Sequence, residues 1–156
     1  MSTATNTATP PKTQTELVAQ PYLNFEGRCE EALAFYQKAI DAKVDCILRF
    51  SDAPEPSEQC ADAEIQPDKV MHCQFRIGES IVMASDCSCT GKTSFSGISL
   101  ALTASTAETA KTLFNALSEG GTIAMPLNTT FFAQKFGVVI DRFGVSWMIV
   151  GAPTNP

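Results

Sequence analysis

Histidine is almost absent from this chain: His72 stands alone, so no cluster of imidazoles is available to hold a metal ion. Basic charge is also scarce. Lys and Arg total 11 against 17 Asp and Glu, a net charge of −6, and the cations are scattered singly, so nothing attracts a phosphate backbone and nucleic acid is not an expected partner. No apolar run reaches the roughly 18 residues that a bilayer span needs, and Met1 to Thr15 is polar rather than charged and then greasy like a signal peptide. A cytoplasmic protein without a membrane partner is expected. No glycine-rich strand-to-helix turn of the kind used by doubly wound nucleotide or S-adenosylmethionine domains occurs. No Ser or Cys is linked by motif to a His and an orienting acid, so nucleophilic catalysis has no signature either.

Cysteine is present without the pattern that would give it a framework role. The six are Cys29, Cys46, Cys60, Cys73, Cys87 and Cys89, in a chain that is neither short nor loop-dominated, so reduced thiols are expected. Cys46 and Cys73 fall in apolar alternating runs and read as small buried hydrophobes. Cys60, Cys87 and Cys89 fall in predicted loops. Cys87 and Cys89 are separated by one residue rather than the two of a zinc knuckle, and no second pair completes a tetrahedron. Thiol chemistry there requires a depressed pKa.

With 156 residues and 44% hydrophobic content, the chain can bury one core. Residues 1–16 lack hydrophobic periodicity and read as a disordered tail, and 152–156 as a second tail. Between them, a strand is predicted over 17–25, with Pro21 marking an edge or bulge. A helix follows over 28–40, with Cys29, Ala32, Leu33, Tyr36 and Ile40 on one face and Glu30 and Glu31 at its positive end. Val44, Cys46, Leu48 and Phe50 then alternate as the apolar face of a strand, and 51–69 is a proline-bearing acidic loop. Strands 70–77 and 80–86 flank Gly78-Glu79, a two-residue hairpin turn. That turn sets Arg76 opposite Ile81, Gln74 opposite Met83 and His72 opposite Ser85 on one face, leaving Met71, Cys73, Phe75, Val82 and Ala84 to pack on helices.

A strand over 97–103 precedes a helix opened by Ser105 and Glu108 in capping-box spacing, with Ala110, Leu113, Phe114 and Leu117 buried and Gly120-Gly121 ending it. Strands 122–127, 133–140 and 145–150 complete the chain, the last two joined by the turn Asp141-Arg142-Phe143-Gly144. The order strand, helix, strand, strand, strand therefore occurs twice, in 17–86 and 97–150. The expectation is one α+β domain over 17–151 made of two βαβββ modules.

Pro21-Tyr22-Leu23-Asn24-Phe25-Glu26-Gly27 with Glu30-Glu31-Ala32-Leu33-Ala34-Phe35-Tyr36, then Val82-Met83-Ala84-Ser85-Asp86, then Phe136-Gly137-Val138 through Asp141-Arg142-Phe143-Gly144-Val145-Ser146-Trp147 resemble the PhnB-like branch of the vicinal-oxygen-chelate superfamily (glyoxalase, bleomycin resistance, dioxygenase). The resemblance covers about 17–151 and implies curved mixed sheets around a cavity. In metal-using members, His and Glu ligands come from the first, fourth, fifth and eighth strands. Matching the strings puts Pro21, Met83, Ile98 and Met148 there, and neither proline, isoleucine nor a soft thioether replaces those ligands. No metal and no cofactor is expected, and glyoxalase, fosfomycin-transferase and extradiol-dioxygenase chemistries, which need the metal, are not implied by the fold alone. Some relatives carry a demethylubiquinone methyltransferase label, which the missing glycine-rich turn argues against.

The candidate ligand-binding residues are Gln74, His72, Met83, Met148, Trp147, Phe136, Tyr22 and Asn24, with Phe132 and Ser85 as further contributors. Gln74, His72 and Arg76 would orient an oxygen-rich or anionic molecule, the aromatic residues would stack on it, and Met83 and Met148 would make an adaptable apolar wall. The ordinary alternatives are a solvated His72 and Arg76, core or interface packing for the aromatics, and turn roles for Asp86 and Asp141. The leading expectation is a homodimer that binds a small molecule without a metal. The alternative is an enzyme of the superfamily, of lyase, transferase or dioxygenase type, acting on a small oxygenated substrate with a metal bound by unexpected residues or without one, and with His72 as its general base or sole imidazole ligand. A dimeric interaction module without a ligand is the third.

Overall fold

The computed structural model describes residues 17–54, 66–87 and 89–154. The tail predicted over 1–16, most of the loop predicted over 51–69 and Cys60 lie outside the described residues. In the first module the strand expected over 17–25 shortens to β1 (Tyr22–Asn24). Pro21 has no N–H to give a ladder; its carbonyl instead accepts the Met83 amide at 3.0 Å, and regular pairing begins one residue later. Helix α1 (Cys29–Ile40) buries Cys29, Ala32, Leu33, Tyr36 and Ile40, and ends at Asp41, whose left-handed backbone (φ 54°) turns the chain into β2 (Lys43–Arg49). β3 (Val70–Ile77) and β4 (Ser80–Ser85) form the expected hairpin. Its ladder includes Gln74↔Met83 and Arg76↔Ile81 and extends to Cys73↔Ala84. Gly78 at the turn has φ 57°, which L side chains rarely adopt.

The second module repeats this plan with β5 (Ser99–Ala104), α2 (Ala107–Ser118), β6 (Thr122–Asn128), β7 (Ala133–Ile140) and β8 (Ser146–Pro153). The two sheets have orders β1-β4-β3-β2 and β5-β8-β7-β6. In each, the first strand pairs parallel with the last and the other pairs are antiparallel. α2 starts one residue later than its spacing suggests: the cap is Thr106, whose Oγ1 accepts the Thr109 amide at 3.1 Å. Because Thr109 then occupies the third helical position, Glu108 cannot close a reciprocal box. β8 also continues through Ala152 and Pro153, paired to β7 at Ala133↔Pro153, so the tail predicted from 152 begins later.

β2 departs from simple alternation. Val44 pairs with Phe75, and the next partner pair is Cys46 with Gln74, so Asp45 is the extra residue of a bulge. The bulge reverses which face each later side chain takes. Ile47 then packs on the core beside Cys73, whereas Cys46, expected to be buried, is exposed and Leu48 is 45% exposed.

The modules meet through an aromatic core. Tyr36 of α1 lies 5.4 Å from Trp147 on β8 and 6.1 Å from both Phe75 and Phe143, and Phe25 lies 5.9 Å from Phe143 (ring centroids). Each such ring buried stabilises by about 2–3 kcal/mol through area alone. Asp141 is not merely a turn residue: 3% exposed, its Oδ1 accepts the Phe143 and Val145 amides while Oδ2 accepts the Trp147 indole N–H at 2.8 Å and the Tyr36 hydroxyl across the module boundary. Asp86 has the same character. Its Oδ1 accepts the Gly27 and Cys29 amides and its Oδ2 the Val70 amide, tying the start of α1 to β3 and β4.

Candidate functional site

The face of the first sheet opposite its helix carries most of the polar chemistry predicted from sequence. The strand pairings place Tyr22, Met83, Gln74 and Cys46 in one row across all four strands. Asn24 with Ser85 and His72 with Leu48 flank that row. The Tyr22 hydroxyl and His72 Nδ1 are 3.0 Å apart, with ring centroids separated by 5.6 Å. Burial raises the Tyr22 phenol above its ordinary pKa, so it is protonated at neutral pH. Ser85 donates to Asn24 Oδ1 at 3.1 Å. At the rim, Asp45 accepts from Gln74 Nε2 at 3.3 Å and pairs with Arg76 at 2.8 Å, and that guanidinium holds the Asp45 carboxyl below the usual range. Arg76 is therefore a rim residue, partnered and exposed.

The second sheet presents an apolar counterpart. Ala101, Met148, Val138 and Met125 form its central row, and Thr103, Val150, Phe136 and Asn128 the next. Phe136 is nearly buried and meets Phe132 edge-on at 5.1 Å, while Phe131 beside it is 95% exposed. The predicted residues thus separate into two sets. Tyr22, Asn24, His72, Gln74 and Met83 share one sheet face; Met148 and Phe136 lie on the matching face of the other sheet.

Trp147 belongs to neither set. Its neighbours in sequence face outward, but it points toward the helices, is fully buried and is anchored by Asp141, so its place is in the core. It only backs a groove of about 440 Å³ along the seam of the modules, with Pro21, Ile81, Val82, Leu100 and Leu102. A smaller groove of about 240 Å³ brings Tyr22 and Asn24 together with Phe95, Ile98 and Val145.

Of the four residues that the resemblance sets at ligand positions, Met83 and Met148 stand on β4 and β8. Their partners on the first strands of the modules are Tyr22 and Ala101. Pro21 precedes β1, and Ile98 precedes β5, 66% exposed. Neither proline, isoleucine nor a thioether fits a hard or borderline divalent ion, and the Tyr22 phenol, hydrogen-bonded to His72, and the Ala101 methyl group beside the two methionines supply no better donor. Cys89, considered for thiol chemistry, has its pKa raised by burial, which makes it less reactive rather than more.

Sequence reasoning missed Asp45, Cys46 and Leu48 as rim residues of this face. The one local signal of the bulge at Asp45 is Ile47, which interrupts the alternation of Val44 to Phe50 and is the side chain that packs on the core.

Residues 18–150 match the model of the family described as 3-demethylubiquinone-9 3-methyltransferase. The chain belongs to this family. Protein YjdN of Escherichia coli K12 is 38% identical over 134 residues, which span 83% of this chain and 91% of that protein. The crystal structure of PA1353 from Pseudomonas aeruginosa has a TM-score of 0.73 at 38% identity, covering 86% of this chain and 97% of that one. A PhnB protein from Bacillus cereus has a TM-score of 0.69 at 30% identity, covering 86% and 98%. The fosfomycin resistance protein FosX from Mesorhizobium loti shares the fold alone, at 13% identity and a TM-score of 0.57 over 89% and 93% of the two chains. The α+β fold of two βαβββ modules is thus shared with the PhnB protein and, as a fold, with the fosfomycin resistance protein FosX. Among the described residues, no helix is long and apolar enough to cross a membrane.

Proposed function

We propose that this PhnB-like protein is a cytoplasmic homodimer that binds a small organic molecule, bearing oxygen acceptors on an otherwise apolar body, on the open face of its first sheet. The observation that carries the reading is the Tyr22–His72 hydrogen bond beside Gln74 and Met83. On a merely solvated sheet face nothing requires a phenol, an imidazole and an amide to converge around a thioether; in a ligand site this is the usual combination of apolar lining and a few fixed polar groups. When the phenol donates to Nδ1, the proton of neutral His72 resides on Nε2, a donor for a ligand oxygen. The dimer is supported by exposed apolar side chains at the sheet margins, Leu48, Ile123, Met125 and Phe131, which a second copy would cover. The family's name refers to methyl transfer. We do not extend that activity to this chain, since the amides at the first strand-to-helix turn, where doubly wound domains hold a methyl donor, are already occupied by Asp86.

The test is calorimetric titration with a panel of oxygenated aromatic metabolites and antibiotics. Saturable binding weakened about tenfold by Gln74→Ala and by His72→Ala is expected, the loss of one hydrogen bond each. Equal affinity in both variants would remove this face from the site. Elemental analysis gives a second check: stoichiometric zinc, nickel, manganese or iron, with lower thermal stability after chelation, would overturn the metal-independent reading.

The same hydrogen bond supports an enzymatic reading in its other tautomer. With Nδ1–H donating to the phenol oxygen, Nε2 is a free lone pair suited to a general base. Turnover of an oxygenated substrate that is lost in His72→Ala and follows imidazole ionisation would establish this reading in place of binding alone.

A further inference from the structure

We infer that Cys29 and Cys73 are a peroxide-oxidisable pair, whose disulfide would fasten the first turn of α1 to the strand beneath the candidate site. Cys29 is the first residue of α1 and Cys73 the fourth of β3; both are fully buried and their sulfurs are 3.6 Å apart. A disulfide requires about 2.05 Å, so closing the gap takes roughly 1.5 Å, within reach of rotation about the side-chain bonds. The two backbones are already held in register, as the Cys29 and Val70 amides both donate to Asp86. Either sulfur can donate in their mutual hydrogen bond, so whichever loses its proton first is held as thiolate by the other's S–H and becomes the attacking sulfur.

The chemistry balances with one peroxide. One thiolate of the pair attacks a peroxide oxygen, the O–O bond breaks, and the departing hydroxide takes up a proton as water, leaving a sulfenic acid. The second sulfur then attacks the sulfenic sulfur and displaces hydroxide, which leaves as a second water with the proton of the second thiol. Two thiols lose two electrons and two protons, and hydrogen peroxide is reduced to two waters. Burial selects a water-sized oxidant over a bulky disulfide such as oxidised glutathione. Cys73 lies between His72 and Gln74, whose side chains take the opposite face, so the bond would also stiffen the strand that carries the proposed ligand contacts.

The test uses the full chain, reduced, then treated with hydrogen peroxide, alkylated and digested with trypsin without reduction. Peptides 29–38 and 70–76 each contain a single cysteine. The expected product joins them with loss of two hydrogen masses, is reversed by a phosphine, and is absent from Cys73→Ser. The oxidised protein should melt higher by about 5 °C, because the bridge closes a long loop of the unfolded chain. The inference is overturned when both peptides remain alkylated at a peroxide dose that oxidises exposed Cys46, or when either one is joined instead to Cys87 or Cys89.

Discussion

Replacing Asp141 with Asn tests whether one carboxylate holds the modules together. Its two oxygens accept four hydrogen bonds: Oδ1 from the Phe143 and Val145 amides at 2.9 and 3.0 Å, Oδ2 from Trp147 Nε1 at 2.8 Å and Tyr36 Oη at 2.5 Å. An asparagine side chain has the same shape but only one acceptor oxygen. Whichever way it turns, its NH2 group meets two groups that were donating. Against the amides both contacts fail; against Tyr36 and Trp147 the hydroxyl can rotate and accept, but the indole N–H cannot. One or two charge-assisted bonds are lost, a buried donor is left unpaired, and the expected cost is about 4 kcal/mol. For a chain of this length that lowers Tm by about 10 °C. Tyr36→Phe, which keeps the ring packing and removes one donor, should cost about 1.5 kcal/mol. Urea unfolding of both single variants and the double variant would measure the coupling between α1 and the Asp141 turn. A destabilisation below about 1 kcal/mol in Asp141→Asn would refute the role assigned to this carboxylate.

The tyrosines should resist alkaline titration. Burial raises both Tyr22 and Tyr36 above the ordinary 10.0, with Asp141 adding to the shift at Tyr36. A folded-state pKa above the unfolded value gives stability that is complete below about pH 10 and lost as pH rises toward the folded value. Absorbance at 295 nm should therefore show the fully buried Tyr36 ionising with unfolding rather than before it, whereas Tyr22, 46% exposed, can ionise in the folded protein; in Tyr22→Phe, tyrosinate forming near pH 10 without unfolding would contradict the burial of Tyr36. Gly151→Ala tests the packing of α2, because a Cβ there would lie 2.4 Å from the Ala110 Cβ and 3.2 Å from that of Lys135. A loss of about 2 kcal/mol is expected in chemical denaturation, and a neutral result would mean that α2 lifts off β8 at little cost.

The residues by themselves determined the order of elements, the two-module plan and the pairing of Gln74 with Met83, because helical and strand periodicity and a glycine turn are short-range signals. The family was equally legible in local strings such as those around Tyr22 and Trp147. They did not reveal that Asp45 forms a bulge, which reverses the exposure expected for Cys46, nor that Trp147 turns inward while Met148 faces out. Nor did they foretell that Asp86 and Asp141 are buried anchors: aspartate is equally at home in an exposed turn, and only partners distant in sequence, the Gly27 and Cys29 amides for one and the Tyr36 hydroxyl for the other, distinguish the roles. The meeting of Cys29 with Cys73, and of Tyr22 with His72, was likewise decided by the docking of α1 on β3 and the parallel register of β1 on β4. Local patterns specify each element and its apolar face; which side chains from different elements touch depends on register and docking, where a shift of one residue exchanges the two faces of a strand.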